Sequence, residues 1–355
     1  MSKDIYCNAK LYIDDVEMPY LKTVSIVFSG NSKLNYLNAT FSIVDIESYS
    51  LYNKKITFYL NESGPECVPY FTGYIMDVSP KETTCSIKAL DPRCFLSGKE
   101  AKKISITEKI NFDGYTLTQF IKEIVDTTLG IDGFPSNALG TELLKETDIP
   151  ILMKGTRETN TDIYSIIDKV TSEALNDSSI ENPKGYFVDI VETATIPSLV
   201  LKERKNKDGK VALFLSYIDG LVSLSYNKRA IPSYAVARST STEGEVEKEI
   251  LGYFQDGNMP LGYRSIEIDG EFKDPDSAKY RAIIEIYRNK EDLEVKVQAN
   301  KGYKTPLGSI IYLDVDDVKI RGNHILMSKR CNWSQGSVKL SYTLGRATPV
   351  VKQFI

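Results

Sequence analysis

A mainly β protein with an α+β middle part, built as two small β-barrel domains flanking an α+β domain, is the fold class this sequence predicts. Three observations carry the prediction. Apolar and polar residues alternate with period two through much of residues 1–98 and again through 216–345, the mark of strands with one dry face. Between these blocks, two segments repeat apolar residues at helical spacing. Both outer blocks end in paired strand runs, at 70–90 and 325–344. The predicted divisions are 1–98 (N-terminal β-barrel), 99–215 (α+β middle domain), 216–345 (C-terminal β-barrel with one helix) and 346–355 (C-terminal arm).

In the first block, Ala9–Ile13 reads as a short strand and Pro19-Tyr20 as a turn. Val24, Ile26 and Phe28 alternate with Ser25, Val27 and Ser29 until the cluster at 30–33 ends the strand. Residues 39–44 and Lys55–Leu60 follow, then a polar loop at 61–65. Residues 69–78 and Thr84–Leu90 form a hairpin across 79–83, and Asp91-Pro92-Arg93 turns the chain away. A small barrel closes so many short strands without leaving open edges.

The charged run 99–103 reads as a connector. Residues 115–129 form an amphipathic helix whose stripe is Leu117, Phe120, Ile121, Ile124 and Val125, broken by Gly130, Gly133 and Pro135. A short turn or helix at 139–146 and an extended segment at 150–155 precede a second helix, 161–175, with the stripe Ile163, Ile166, Ile167 and Val170. Tyr186–Val191 and 198–202 pair as strands, and 204–210 is an exposed loop. Residues 218–226 and 234–238 return to strand pattern, whereas the polar run 239–249 predicts a mobile loop.

The last block opens with the strand Arg264–Asp269. Asp274 is positioned to cap a helix, Pro275 suits its first position, and Ala278, Ala282, Ile283 and Ile286 share a face. In Leu293–Ala299 every second residue is apolar and the intervening ones are Glu294, Lys296 and Gln298. Strands at 309–315, 324–333 and 338–344 follow, the last two joined by a turn at 334–336, and the helix is expected to lie against this run. Because both outer blocks are strand-rich and end in a hairpin, they hint at an internal duplication.

Composition narrows the function. The chain has 355 residues, 42% hydrophobic and 26% charged, with formal net charge −4, so no broad basic field exists to hold a nucleic-acid backbone. The first ten residues have no apolar segment of the secretory type, no run is long enough to span a bilayer, and five unpaired-looking cysteines fit a protein made in a reducing compartment. Its 22 tyrosines suit either large half-buried interfaces or simply the pleated surface of strands.

Chemistry is sparse. The single histidine, His324, opens a strand, and no nucleophile motif or phosphate-cradling glycine loop accompanies it. One histidine also excludes histidine-rich zinc sites. Asp314, Asp316 and Asp317 cluster at a strand end, and Glu243, Glu245, Glu247 and Glu249 alternate in the expected loop; a solvated acidic loop or weak calcium site is the plain reading, with a hydrolytic carboxylate pair left open. No catalytic, cofactor-binding or metal-ligating residue is predicted, and interface residues stay unassigned.

Three stretches carry a resemblance. Tyr70-Phe-Thr-Gly-Tyr-Ile-Met-Asp-Val-Ser-Pro80 followed by Cys85-Ser-Ile-Lys-Ala-Leu-Asp91 gives an aromatic–Gly–aliphatic strand, a turn, and a strand ending in aliphatic–Asp. Thr116-Leu-Thr-Gln-Phe-Ile-Lys-Glu-Ile124 and Thr161-Asp-Ile-Tyr-Ser-Ile-Ile167 give the two helices, and 275–300 gives a helix with its following strand, before Gly308 and the closing hairpin. Over nearly the full length this arrangement resembles the baseplate hub proteins of contractile tails, in Mu-like and Bacillus-prophage phages and phage-tail-like bacteriocins. The resemblance implies two similar barrels per chain, assembled as a homotrimer into a ring of six that adapts a three-fold spike to a six-fold tube. It implies as partners the spike protein, the tail tube or tube-initiator protein and the tape-measure protein, with DNA only as passing cargo, in a particle assembled in the bacterial cytoplasm. No cofactor is implied. A like-charged lumen would let DNA slide, and the acidic balance is compatible with that. The middle block is smaller than in the largest hubs, and no fused lysozyme or peptidase segment is seen, which would put wall cleavage on another chain. Two alternatives remain at this stage: a tail-associated cell-wall hydrolase using a Glu/Asp pair, and a tail-tip receptor- or carbohydrate-binding β protein.

Overall fold

The structure, a computed structural model, describes residues 5–30, 34–42, 48–61, 67–97, 114–129, 137–149, 151, 162–173, 186–203, 210–228, 232–243, 246–255, 264–269, 272, 274–289 and 293–346. The expected connector at 99–103, the helix breakers Gly130, Gly133 and Pro135, most of 150–155 and 204–210, and the arm beyond Arg346 lie outside these residues.

The first block is strand after strand: Ile5–Tyr6 (β1), Ala9–Ile13 (β2), Val16–Glu17 (β3), Leu21–Ser29 (β4), Tyr36–Ser42 (β5), Lys55–Leu60 (β6), Phe71–Pro80 (β7) and Thr84–Leu90 (β8). The period-two faces fall as the pattern predicts: Val24 and Ile26 on β4, and Leu37, Ala39 and Phe41 on β5, are all buried. Gly73 has a steric reason within its motif, since a Cβ there would come within 2.4 Å of the Leu90 carbonyl oxygen.

The middle block consists of Leu117–Leu129 (α1), Ile163–Glu173 (α2) and the antiparallel hairpin Tyr186–Val191 (β9) and Ser198–Glu203 (β10). Its own core joins both predicted helical stripes to Leu96, Tyr186, Val188 and Leu199. The helix starts are capped. Thr116 and Gln119 exchange backbone-to-side-chain bonds across the first turn of α1, and Asp162 Oδ1 accepts the Ser165 N–H at 2.9 Å. Residues 139–146 form a turn and coil, with Gly140 bridged to Ser198.

The last part adds Val211–Ser216 (β11), Leu221–Lys228 (β12), Pro232–Glu243 (β13), Val246–Gln255 (β14), Arg264–Asp269 (β15), Pro275–Asn289 (α3), Leu293–Ala299 (β16), Ile310–Val315 (β17), Ile320–Ser334 (β18) and Ser337–Arg346 (β19). Two expectations need correction here. The described residues of the polar run 239–249 are strand: 239–243 and 246–249 form the outer halves of β13 and β14, paired from Ser239↔Ile250 to Glu243↔Val246. Polar residues at successive positions, with Thr240 and Thr242 among them, suit a ribbon with two polar faces as well as they suit a loop. Helix α3 does not lie on the run after residue 293. It packs on β14, β13 and β15, a three-stranded sheet with a separate core of Ala235, Ala237, Phe272, Ala278, Ala282 and Ile286. The approach is close enough that a Cβ on Gly252 would sit 2.1 Å from the Lys279 backbone nitrogen. The expected cap holds: Asp274 Oδ1 accepts the Ser277 N–H at 2.7 Å.

The remaining strands of both outer blocks belong to one 14-stranded sheet, in the order β12-β16-β19-β18-β4-β5-β8-β7-β6-β2-β3, with β17 on β18, β11 on β17 and β1 on β19. The seam between the blocks is β4 against β18, antiparallel from Thr23↔Ser334 to Ser29↔Ser328. Inward residues from Leu11 to Ile87 and from Leu215 to Leu344 form a single apolar cluster. Trp333 Nε1 donates to the Cys7 carbonyl oxygen at 2.8 Å, fastening the chain start to the last hairpin.

The two blocks repeat each other strand for strand. In chain order β2, β4, β5, β6, β7, β8 correspond to β11, β12, β16, β17, β18, β19, and their neighbours in the sheet follow the same sequence, β4-β5-β8-β7-β6-β2 against β12-β16-β19-β18-β17-β11. The bulges agree as well. One falls between Leu21 and Thr23 on β4 and between Leu221 and Ser223 on β12; another falls between Ile75 and Asp77 on β7 and between Leu326 and Ser328 on β18. The departures are the β11–β17 pairing, parallel where β2–β6 is antiparallel, and the short strands β1 and β3, which have no counterpart among the described residues.

Candidate assembly surfaces

A rigid attachment holds the middle block to the sheet. At the end of β8 the chain enters a 3₁₀ turn, Pro92–Leu96, and places Asp91 and Arg93 where neither side chain is more than 2% exposed. Arg93 grips the Asp91 carboxylate with Nη2 at 2.6 Å and Nε at 3.1 and 3.2 Å, and donates Nη1 to the Tyr164 hydroxyl on α2 and the Val188 carbonyl on β9. Burial alone would lower the guanidinium pKa, but Asp91, Tyr164 and Asp189 together raise it, so the charge stays. Asp91 also accepts the Arg93 and Asn35 N–H groups.

Beside this tie is a cleft of about 350 Å³ where all three blocks meet, lined by Phe28 and Tyr70, by Asp189, Glu192 and Lys202, and by Lys304, Leu307 and Lys329 among others. Lys329 is 5% exposed. It donates to the carbonyls of Tyr303 (2.7 Å) and Thr305 (3.0 Å) and sits over the rings of Phe28 and Tyr70, 4.8 and 5.1 Å from their centroids. Burial pulls its pKa down to about 8. Asp189 is held by Lys202 at 2.7 Å. Glu192 Oε1 accepts the Thr72 N–H at 2.8 Å, while Oε2 is closed off from water with no hydrogen-bond partner among the described residues.

Glu192 gives a pH prediction. Burial pushes its carboxyl up to about 7 from 4.5, against the smaller downward pull of Thr72. The folded chain therefore keeps this proton where the unfolded chain has lost it. The stabilisation is fully present below about pH 4.5 and is lost as pH rises through about 7. In Glu192→Gln the fall in urea midpoint across that window is expected to flatten. An unchanged slope in the variant would assign it to another group.

The seam also builds a continuous polar face. Asp77, Lys88, Asn38, Ser25, Asn332 and Lys339 lie side by side across six strands, and Ser79, Ser86, Thr40, Thr23, Ser334 and Ser337 form the adjoining row. The face is concave, with a depression of about 480 Å³. Its charges are Lys88, Arg330, Lys339 and Lys296 against Asp77 and Glu294, so the net −4 of the chain is not expressed there.

At one end of the sheet, β11, β12 and the turn between them expose Phe214, Tyr217, Ile218, Val222 and Tyr226, with the Phe214 ring stacked on Tyr312 at 5.5 Å.

The residues singled out in the sequence fall elsewhere. His324 is buried within β18, paired across to Ile311 and Arg346. Asp314 and Asp316 both bind Arg321, at 2.7 and 3.1 Å, and Glu243, Glu247 and Glu249 are distributed along the β13–β14 hairpin. Among the described residues no metal-holding cluster occurs, and no helix is long and apolar enough to cross a membrane. Sequence reading passed over Arg93, Glu192 and Lys329. Of these only Lys329 left a signal, a lysine in the same strand phase as Cys331 and Trp333.

This architecture is that of the tail-protein fold of phages and prophages. The chain superposes on a tail protein from Neisseria meningitidis MC58 with TM-score 0.70 at 14% identity, covering 96% of this chain and 97% of that one. The 43 kDa tail protein of prophage MuSo2 from Shewanella oneidensis gives 0.68 at 14%, over 96% and 98%. An E. coli type VI secretion component, described as similar to the T4 tail proteins gp27 and gp5, gives 0.59 at 13%, over 94% and 76%. No protein-family model and no curated relative matches the sequence.

Proposed function

We propose that this chain is a structural hub at the tip of a contractile tail tube, working as a homotrimer whose six β blocks form one ring between a three-fold spike and a six-fold tube. The observation that carries the reading is the duplication: two blocks of the same strand order, with matching bulges, bonded edge to edge through β4 and β18. Three such chains supply six equivalent blocks, which is how a three-fold object can meet a six-fold one. The concave polar face fits the lumen. Small hydroxyl and amide side chains with interspersed charges of both signs offer a passing cargo no sustained attraction, in place of the like-charged lumen that the resemblance implied. The tape-measure and tube proteins would lie above the ring and the spike below, with the particle assembled in the bacterial cytoplasm.

The test is solution mass by light scattering over a range of concentrations, alone and with the spike protein. A species of three chains, each 39.9 kDa, supports the reading. A monomer throughout, even with spike present, overturns it. Peptidoglycan cleavage abolished by one carboxylate substitution would support the hydrolase instead.

A further inference from the structure

The duplication leaves two strand edges unmatched. β4 of the first block lies on β18, and this covers Val24 (2% exposed) and Ile26 (0%). Their counterparts on β12, three and five residues beyond Leu221 where the matching bulge starts, are Leu224 and Tyr226. Because β12 ends the sheet, Leu224 is only partly buried and Tyr226 is 49% exposed. On the other side, β18 is long enough to hold β17 along Ile320–Ile325 and β4 along Ser328–Ser334. Its counterpart β7 holds β6 along Phe71–Tyr74, but among the described residues its second half, Asp77–Pro80, pairs only with β8, which leaves its outer edge open. The two unpaired edges are thus the equivalents of the two strands that form the internal seam. Within one chain they do not meet.

We propose that β12 of one copy of this chain adds, antiparallel, to the open edge of β7 in the next copy, in the register that β4 takes on β18. The proposal rests on the trimeric reading above and gives it its interface. The bulges fix the register. Ser79 corresponds to Arg330 and Asn227 to Val27, and Arg330 faces Val27 across the internal seam, so Ser79 faces Asn227 across chains. In the same register Tyr226 falls opposite Pro80, which would cover the exposed ring. The ladder is shorter than the internal seam, because Pro80 has no N–H to give and the β7–β8 turn follows at once. An uncovered strand edge bearing apolar side chains is a template for another strand, and here the second copy brings the matching one.

Cysteine pairing tests this directly. Cys67 is the one partly exposed cysteine among the five, none of which forms a disulfide, so the experiment uses a Cys67→Ser background. Facing side chains in an antiparallel pair stand about 4.5–5.5 Å apart at Cβ, close to disulfide reach. Ser79→Cys with Asn227→Cys is expected to yield, on oxidation, a covalent product of three chains on a denaturing gel, and either substitution alone is expected to yield none. Tyr226→Glu is expected to weaken the trimer about tenfold or more while leaving the melting temperature of the monomer unchanged, since the ring is half exposed before assembly. A trimer by light scattering that gives no cross-link, or that survives Tyr226→Glu, overturns the edge contact and leaves the trimer standing. A monomer at every concentration, with no cross-link, overturns both.

Discussion

Arg93→Ala is expected to cost about 3–5 kcal/mol, among the largest effects of any single substitution in this chain, because it strands the Asp91 carboxylate in the interior. The guanidinium closes two faces of one joint. It neutralises Asp91 at the end of β8 and, through Nη1, ties that end to α2 at Tyr164 and to β9 at Val188. Removing it leaves a buried charge, an orphaned carbonyl and a void beneath the Tyr164 ring, over which the Arg93 carbon sits 5.4 Å from the centroid. Lysine cannot replace it, since a single ammonium cannot reach the carboxylate, the hydroxyl and the carbonyl together. The check is urea unfolding followed at the middle block. Arg93→Ala combined with Asp91→Ala should recover part of the loss, because the stranded charge is gone. If the double variant is no more stable than the single, the cost lies in lost packing and not in the unpaired carboxylate. Loosening this joint is also expected to free the middle block from the sheet while the sheet itself stays folded, since the two have separate apolar cores.

The strands and helices were legible because their signals are local. Period-two alternation placed β4, β7, β8 and β16, and the stripes on α1 and α2 are the ones that became buried. The two closing hairpins were legible for the same reason, being strands joined by short turns. Which strand lies beside which is a non-local fact, so the β4–β18 seam, which joins the two expected barrels in one sheet, could not be read from periodicity. β11, Val211-Ala-Leu-Phe-Leu-Ser216, carries no alternation: it is a short apolar run, which periodicity alone cannot assign to a strand. The β13–β14 ribbon was taken for a loop because its outer half has polar residues at successive positions, and only the pairing with a partner strand makes them a strand. Arg93 was hidden for a different reason. In Asp91-Pro92-Arg93 the charges and the proline are ordinary turn chemistry, and nothing in three residues says that tertiary packing will remove both charges from water.

Val297→Asp is expected to destabilise the sheet by on the order of 4 kcal/mol or more, whereas Lys296→Asp, one residue away on the polar face, should stay within about 0.5 kcal/mol. Val297 is 2% exposed and pairs with Leu224 and Tyr342 on either side, both facing the shared interior. A carboxylate there must either take up a proton or open the strand. Lys296 is exposed, its salt bridge to Glu294 spans 3.4 Å in water, and screening leaves such a pair little weight. The shared core makes a stronger claim than the local one. Apolar residues of the first block, such as Phe58 and Ile75, belong to the same cluster as Val297, so disruption in β16 should be felt in β6 and β7. Hydrogen exchange in Val297→Asp is therefore expected to show amides of Lys55–Leu60 losing protection together with those of Leu293–Ala299, while α3 on its separate core keeps its own. Protection retained in β6 after β16 has opened would mean that the two blocks melt independently. The sheet would then be two units joined at a seam, and a ring built from them would owe its stiffness to assembly and not to the chain.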